Sequence, residues 1–168
     1  MAAGSTYTPI ATYSLSSAQS AVTFSSIPST YTDLLLSYGV KTSTATDVLC
    51  RFNSDTGTNY SQSVLSGNGT AASAGRSSNQ SRILLDSLGY PNNPAPNVCN
   101  VSFMNYSNTT TFKTCLIRAG NPASEGVDAI VGLWRSTSAI STIDIVTLSG
   151  GTTFVAGSIF TLYGIQAA

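Results

Sequence analysis

Histidine is absent from the 168 residues, and that decides most of the chemistry open to this chain. Without it there is no imidazole base, no Ser-His-Asp or Cys-His nucleophile system, and few ways to build a zinc site. The acids are Asp33, Asp47, Asp55, Asp86, Glu125, Asp128 and Asp144. A glycosidase needs two carboxyl groups roughly 5 to 9.5 Å apart, and no spacing among these seven nominates a pair. Cys50, Cys99 and Cys115 have no base beside them in sequence. Their odd number rules out complete internal pairing, and each lies in an apolar run, where free Cys packs as a small hydrophobe. No enzymatic activity is expected, and no catalytic residue, cofactor or metal is nominated.

Two loops offer oxygen and backbone groups. Asn53-Ser54-Asp55-Thr56-Gly57 could hold calcium, but it lacks the later glutamate and the spacing of an EF-hand loop. Turn formation explains the same residues, since Asn and Asp tolerate the left-handed region and Gly reaches positive φ freely. Gly67-Asn68-Gly69 has no strand–helix context for binding phosphate and reads as loop. Among the aromatics, Tyr60, Tyr90, Tyr106 and Trp134 could stack on sugar rings if exposed. Trp134, in the run A-I-V-G-L-W, reads as packed instead.

The elements that must position these groups are strands. Tyr31–Thr42 alternates with Leu34, Leu36, Tyr38 and Val40 on one face. Asp47–Phe52 repeats the pattern, with Val48, Cys50 and Phe52 inward and Leu49 and Arg51 outward. Further strands are expected at 9–15, 21–24, 60–65, 82–88, 98–106, 112–119, 127–134, 140–148 and 158–165. The only place for a helical turn is 129–136. Residues 1–8 read as a flexible arm, 1–12 as that arm with the first strand, and 13–168 as a single β-sandwich domain. Residues 66–80 hold almost no large apolar side chain and read as a long exposed loop. Strand signals every 10–15 residues, with no helical period, point to an all-β sandwich or barrel of about ten strands.

Charge narrows the partners. Only 8% of residues are charged and the net charge is zero, against about 25% charged residues in an average domain. The seven Lys and Arg are scattered singly, so no nucleic acid is expected. No apolar run is long enough to span a membrane as a helix, and Met1-Ala2-Ala3-Gly4 does not open a signal peptide. Six N-x-S/T sequences begin at Asn59, Asn68, Asn79, Asn100, Asn105 and Asn108. In a chain this rich in Asn, Ser and Thr they reflect composition. With free thiols and no leader, a bacterial or viral protein made in a reducing cytoplasm is expected.

Four stretches are familiar: Y-T-D-L-L-L at 31–36, R-F-N-S-D-T-G-T-N-Y-S at 51–61, G-L-W at 132–134 and F-V-A-G-S-I-F-T-L-Y-G-I at 154–165. In that order they resemble a family of tailed-phage virion proteins, seen especially in phages of cyanobacteria and other aquatic bacteria. The resemblance implies a jelly-roll-like antiparallel β-sandwich. It also implies a role as a capsid decoration or cement protein, or as a tail or head fibre module that adheres to host-surface glycan. The chain reads as complete from its Met, with no fibre shaft, and that favours decoration. A homotrimer on the capsid surface of the virion, bridging subunits of the major capsid protein, is then expected. A cellular lectin-like protein lacks the expected leader and comes last. The arm at 1–12 and the loop at 66–80 are the expected contact elements, with Tyr7, Thr8, Pro9, Asn68, Arg76, Tyr90 and Tyr106 as interface residues.

Overall fold

Leu34, Leu36, Tyr38 and Val40 alternate with wetter neighbours, and in the computed structural model all four are buried. The structure describes residues 6–87, 96–121, 126–148 and 150–166. Among the described residues twelve strands form, where about ten were expected: β1 Tyr7–Ser14, β2 Ala21–Phe24, β3 Asp33–Val40, β4 Val48–Phe52, β5 Tyr60–Gly67, β6 Ala72–Gln80, β7 Ile83–Leu84, β8 Asn97–Met104, β9 Lys113–Asn121, β10 Gly126–Trp134, β11 Ile143–Thr147 and β12 Ile159–Ile165. They build two antiparallel sheets. The larger has eight strands in the order β1-β12-β3-β8-β9-β10-β5-β6, and the smaller has four, β2-β11-β4-β7. The result is a jelly-roll-like antiparallel β-sandwich. Its core lies between the sheets, where alternate residues of β3, β8, β9, β10 and β12 meet Val22, Phe24, Cys50, Phe52, Ile143 and Ile145.

Several local expectations need correction. Residues 66–80 are not a long loop. Asn68 turns the chain by accepting the N–H groups of Thr70 and Ala71 on its side-chain oxygen, at 3.1 and 2.8 Å, with Gly69 at a φ of 84°. The rest of the stretch is β6, paired with β5 from Gly67↔Ala72 onward. Small polar side chains hid this strand, because β propensity measures packing and β6 packs little. The first strand starts two residues before its expected beginning at Pro9: Tyr7 and Thr8, expected in the arm, already pair with β12. Residues 1–5 lie outside the described residues.

Ala129–Trp134 continues as strand between β9 and β5, so no helical turn forms there. The strand expected over 82–88 shrinks to Ile83–Leu84, after which Leu85 donates its N–H to the Val48 carbonyl at 2.8 Å. Leu49 was expected outward on a wet face, yet it is buried, in a recess shared with Arg82, Leu84 and Leu148. All three cysteines are buried free thiols.

The two sheets pack closely at Gly132. A Cβ there would stand 2.7 Å from Cys115 Sγ and 2.8 Å from Ile83 Cδ1 and Cγ2. Gly132→Ala should therefore destabilise by about 1–3 kcal/mol through overpacking. Calorimetry should show a midpoint lower by roughly 2–4 °C for each kcal/mol. Gly39→Ala, whose Cβ would meet nothing within 4 Å, should leave the midpoint unchanged or raised.

Candidate interaction surface

The polar groups that could carry chemistry are used to hold the fold. Asp55 is the clearest case. Its carboxylate accepts Trp134 Nε1–H at 2.7 Å, Asn59 Nδ2–H at 2.9 Å and the Gly57 N–H at 2.8 Å. Those donors, Trp134 first, hold the carboxyl below its ordinary range. Both oxygens face N–H groups, which is the geometry of a turn and the opposite of a cation site. Asn53 and Ser54, at φ of 51° and 54°, complete that turn. Among the described residues no group of three or more His, Cys, Asp or Glu could hold a metal ion.

A second polar cluster lies inside the sandwich. Asp86 is fully buried and accepts the Val48 N–H at 3.2 Å and Asn97 Nδ2–H at 3.0 Å. Nearby, Asp128 accepts the Ser66 hydroxyl at 2.5 Å and the Ser87 N–H at 2.6 Å. Burial pushes the Asp86 carboxyl well above the usual carboxylate range; the Val48 N–H opposes this, and the charges of Asp47 and Asp128 add to it. Buried thiols behave alike: desolvation lifts Cys115 to about 12, away from any nucleophilic range.

The expected interface residues do not form one patch. Tyr7, Thr8 and Pro9 lie on β1 at one edge of the large sheet, and Arg76 lies on β6 at the other. Seven strand spacings separate them, roughly 34 Å. Tyr7 is exposed and meets Tyr163 edge to face at a centroid distance of 6.4 Å. Asn68 sits at the tip of the β5–β6 hairpin, at the same edge of the sheet as Arg76 but far from Tyr7. Tyr106 is buried, donating its hydroxyl to the Pro28 carbonyl, and cannot meet a partner. Tyr60 and Trp134 are buried too, stacked at 6.3 Å. Tyr90 lies outside the described residues.

What the structure brings together instead is the outer face of the large sheet. Across the ladder, Leu35, Ser102, Leu116, Val131, Ser63 and Arg76 stand side by side from β3 to β6. The neighbouring row runs Ser37, Asn100, Arg118, Ala129, Leu65 and Ala74. Seven large apolar side chains are exposed on this face: Leu65, Val98, Met104, Leu116, Val127, Val131 and Ile159. Leu65 and Val127 keep 62% and 61% of their surface in contact with solvent. An open groove of about 810 Å³ crosses β9, β10, β5 and β6, and its charged lining residues are Arg76 and Arg118. Those two lie roughly 15 Å apart by strand spacing.

The sequence carried a signal for this face. Val127–Trp134 is apolar on both faces, as in a strand covered on both sides. Here the described residues cover only one.

The buried acid makes a testable pH dependence. A carboxyl whose folded pKa is raised favours the folded state in its protonated form. Its stabilisation is complete below the unfolded pKa near 4 and is lost as pH rises above it. Asp86→Asn should therefore unfold at a higher temperature than wild type at pH 7, and the gap should close towards pH 4. Thermal scans across that range read it directly; a gap that widens towards acid would refute the assignment.

No family model matches this chain, and no curated protein matches it. Solved structures do. The galectin LEC-6 of Caenorhabditis elegans aligns over 93% of this chain and 96% of its own, at 10% identity and a TM-score of 0.39. The alginate lyase Aly36B, solved with an alginate tetrasaccharide, aligns over 82% of this chain and 72% of its own, at 9% identity and a TM-score of 0.30.

Proposed function

We propose that this chain is a structural protein of a tailed-phage virion, a decoration or cement protein that binds the major capsid protein through the outer face of its eight-stranded sheet. The phage origin comes from the sequence resemblance. The observation that carries the binding role is the exposed apolar face. Eight strands about 4.8 Å apart and about 26 Å long present roughly 900 Å². That is the size of one side of a standard protein interface, about 800 Å². Isolated exposed apolar residues are ordinary, whereas a contiguous set on one face marks an interaction site.

Such a surface needs no catalytic group. Ser63, Asn100 and Ser102 supply hydrogen-bonding groups between apolar side chains, the mixture that interfaces use. Low charge makes the contact insensitive to salt. On a capsid lattice many copies act together, so modest affinity at each site holds the shell. The contact elements are thus moved from the arm and the loop to the sheet face. Self-association, implied by the resemblance as a homotrimer, is a separate question.

Quantitative mass spectrometry of purified virions tests the role: hundreds of copies, set against the major capsid protein, support decoration. A few copies, or a few tens, replace it with a fibre module for glycan adhesion. The face is tested by Leu116→Asp with Val131→Lys, both exposed and directly opposite across β9 and β10, so that the new charges are of opposite sign. Occupancy on stripped particles should fall roughly ten-fold or more, the equivalent of at least 1.4 kcal/mol, with the unfolding midpoint nearly unchanged. Undiminished occupancy would exclude this face.

A further inference from the structure

Strand β6 ends the eight-stranded sheet, and among the described residues no strand pairs with its outer side. A free edge is a row of unpaired N–H and C=O groups, which proteins guard with Pro, Lys, bulges or covering loops. The opposite edge is guarded in this way: β1 contains Pro9, which has no N–H, and its register shifts between Pro9 and Ala11. In contrast, β6 reads A-S-A-G-R-S-S-N-Q, nine residues with no proline and no lysine. Its register against β5 is unbroken from Ala72 to Ser77, and the irregularity falls beyond, near Tyr60.

We infer that β6 is a docking edge for a second copy of this chain. The two β6 strands pair antiparallel across a two-fold axis, and two eight-stranded sheets become one. The sequence of β6 is self-complementary in the required sense. A two-fold antiparallel ladder sets one residue opposite its own copy. With Arg76 on the axis, two guanidinium groups would face each other, which destabilises. With Gly75 or Ala74 on the axis, Arg76 falls opposite Ala74 or Ala72, which are small and uncharged. The side chains from Ala72 to Arg76 are exposed, so nothing in the chain must move.

The asymmetry of the edges also selects the symmetry. A β6-to-β1 contact between copies would be head to tail, building rings or filaments. The proline and bulge of β1 deny it a ladder. The β6 pair closes on itself, and it places two grooves, each bounded by Arg76, beside one another on a single platform. This pairing does not rest on the decoration role: a pair that forms without capsid binding, or the reverse, separates the two readings.

The test is light scattering coupled to size exclusion on the full chain over a range of concentrations. Wild type should reach twice the 17.3 kDa mass of one chain. Ala72→Lys with Ala74→Lys sets like charges opposite one another in the registers centred on residues 74 and 75, and the register centred on 76 already sets Arg76 against its own copy. Both positions are exposed, so the variant should keep the wild-type circular dichroism, and its mass should fall two-fold. Backbone amides of 72–77 should exchange more slowly in wild type than in the variant at the same concentration. A single-chain mass at every concentration, a three-fold mass, or a pair that survives the double substitution would overturn the inference. The first of these would leave the edge to a strand from another protein.

Discussion

An eight-stranded sheet has two faces, and the four-stranded sheet of this protein can cover only one of them. That mismatch governs the rest of the structure. Alternation along each strand sends Leu34, Leu36, Val101, Phe103, Ile117, Ile130, Phe160 and Leu162 to the covered side, where all are buried. The same alternation sends Leu65, Leu116, Val127 and Val131 the other way, into solvent. Burying a side chain of this size stabilises by about 1.5–3 kcal/mol. The inner set collects that gain on folding, and the outer set does not.

Within the sandwich, the contact between the sheets is secured at one end by aromatic rings. Phe52 of the small sheet meets Phe103 and Trp134 of the large one at 5.6 and 5.5 Å, edge to face, and Tyr60 stacks on Trp134. The polar tips of these rings are then used to tie down the turn after β4. Trp134 donates to Asp55, and Tyr60 accepts the Phe52 N–H at 3.0 Å and donates to the Asp55 carbonyl at 3.1 Å. Buried Tyr and Trp need such partners, and this turn provides them. The residues that look most like a ligand loop in the sequence are therefore the clasp of the core.

Much of the inner architecture was legible beforehand. The period-two patterns at 34–40 and 48–52 named Leu34, Leu36, Tyr38, Val40, Val48, Cys50 and Phe52 as buried correctly, and the apolar setting of the three cysteines anticipated their burial. The edge strand and the surroundings of single side chains were not legible in the same way. β6 was hidden because Ala, Ser, Gly and Asn carry no periodic hydrophobicity. Tyr106 was misplaced because a polar ring in a polar stretch looks exposed until its hydroxyl is seen bonded to the Pro28 carbonyl. Leu49 failed for the reverse reason: alternation put it outward, and the neighbouring Leu84 and Leu148 closed over it.

By itself, the amino-acid sequence excluded imidazole chemistry and determined which class of fold the chain adopts. A chain with no histidine, few charges and short alternating strands has few other routes than an all-β sandwich. Local pattern is enough for that, because the side-chain period of a strand is a property of the backbone. Only the tertiary structure decided where the strands stand in the sheets. Strand order put Pro9 on one edge and Arg76 on the other, brought β9 and β10 together at the middle of the apolar face, and left β6 without an outer neighbour. Those are long-range pairings, set by which faces can be buried together, and no local stretch of sequence encodes them.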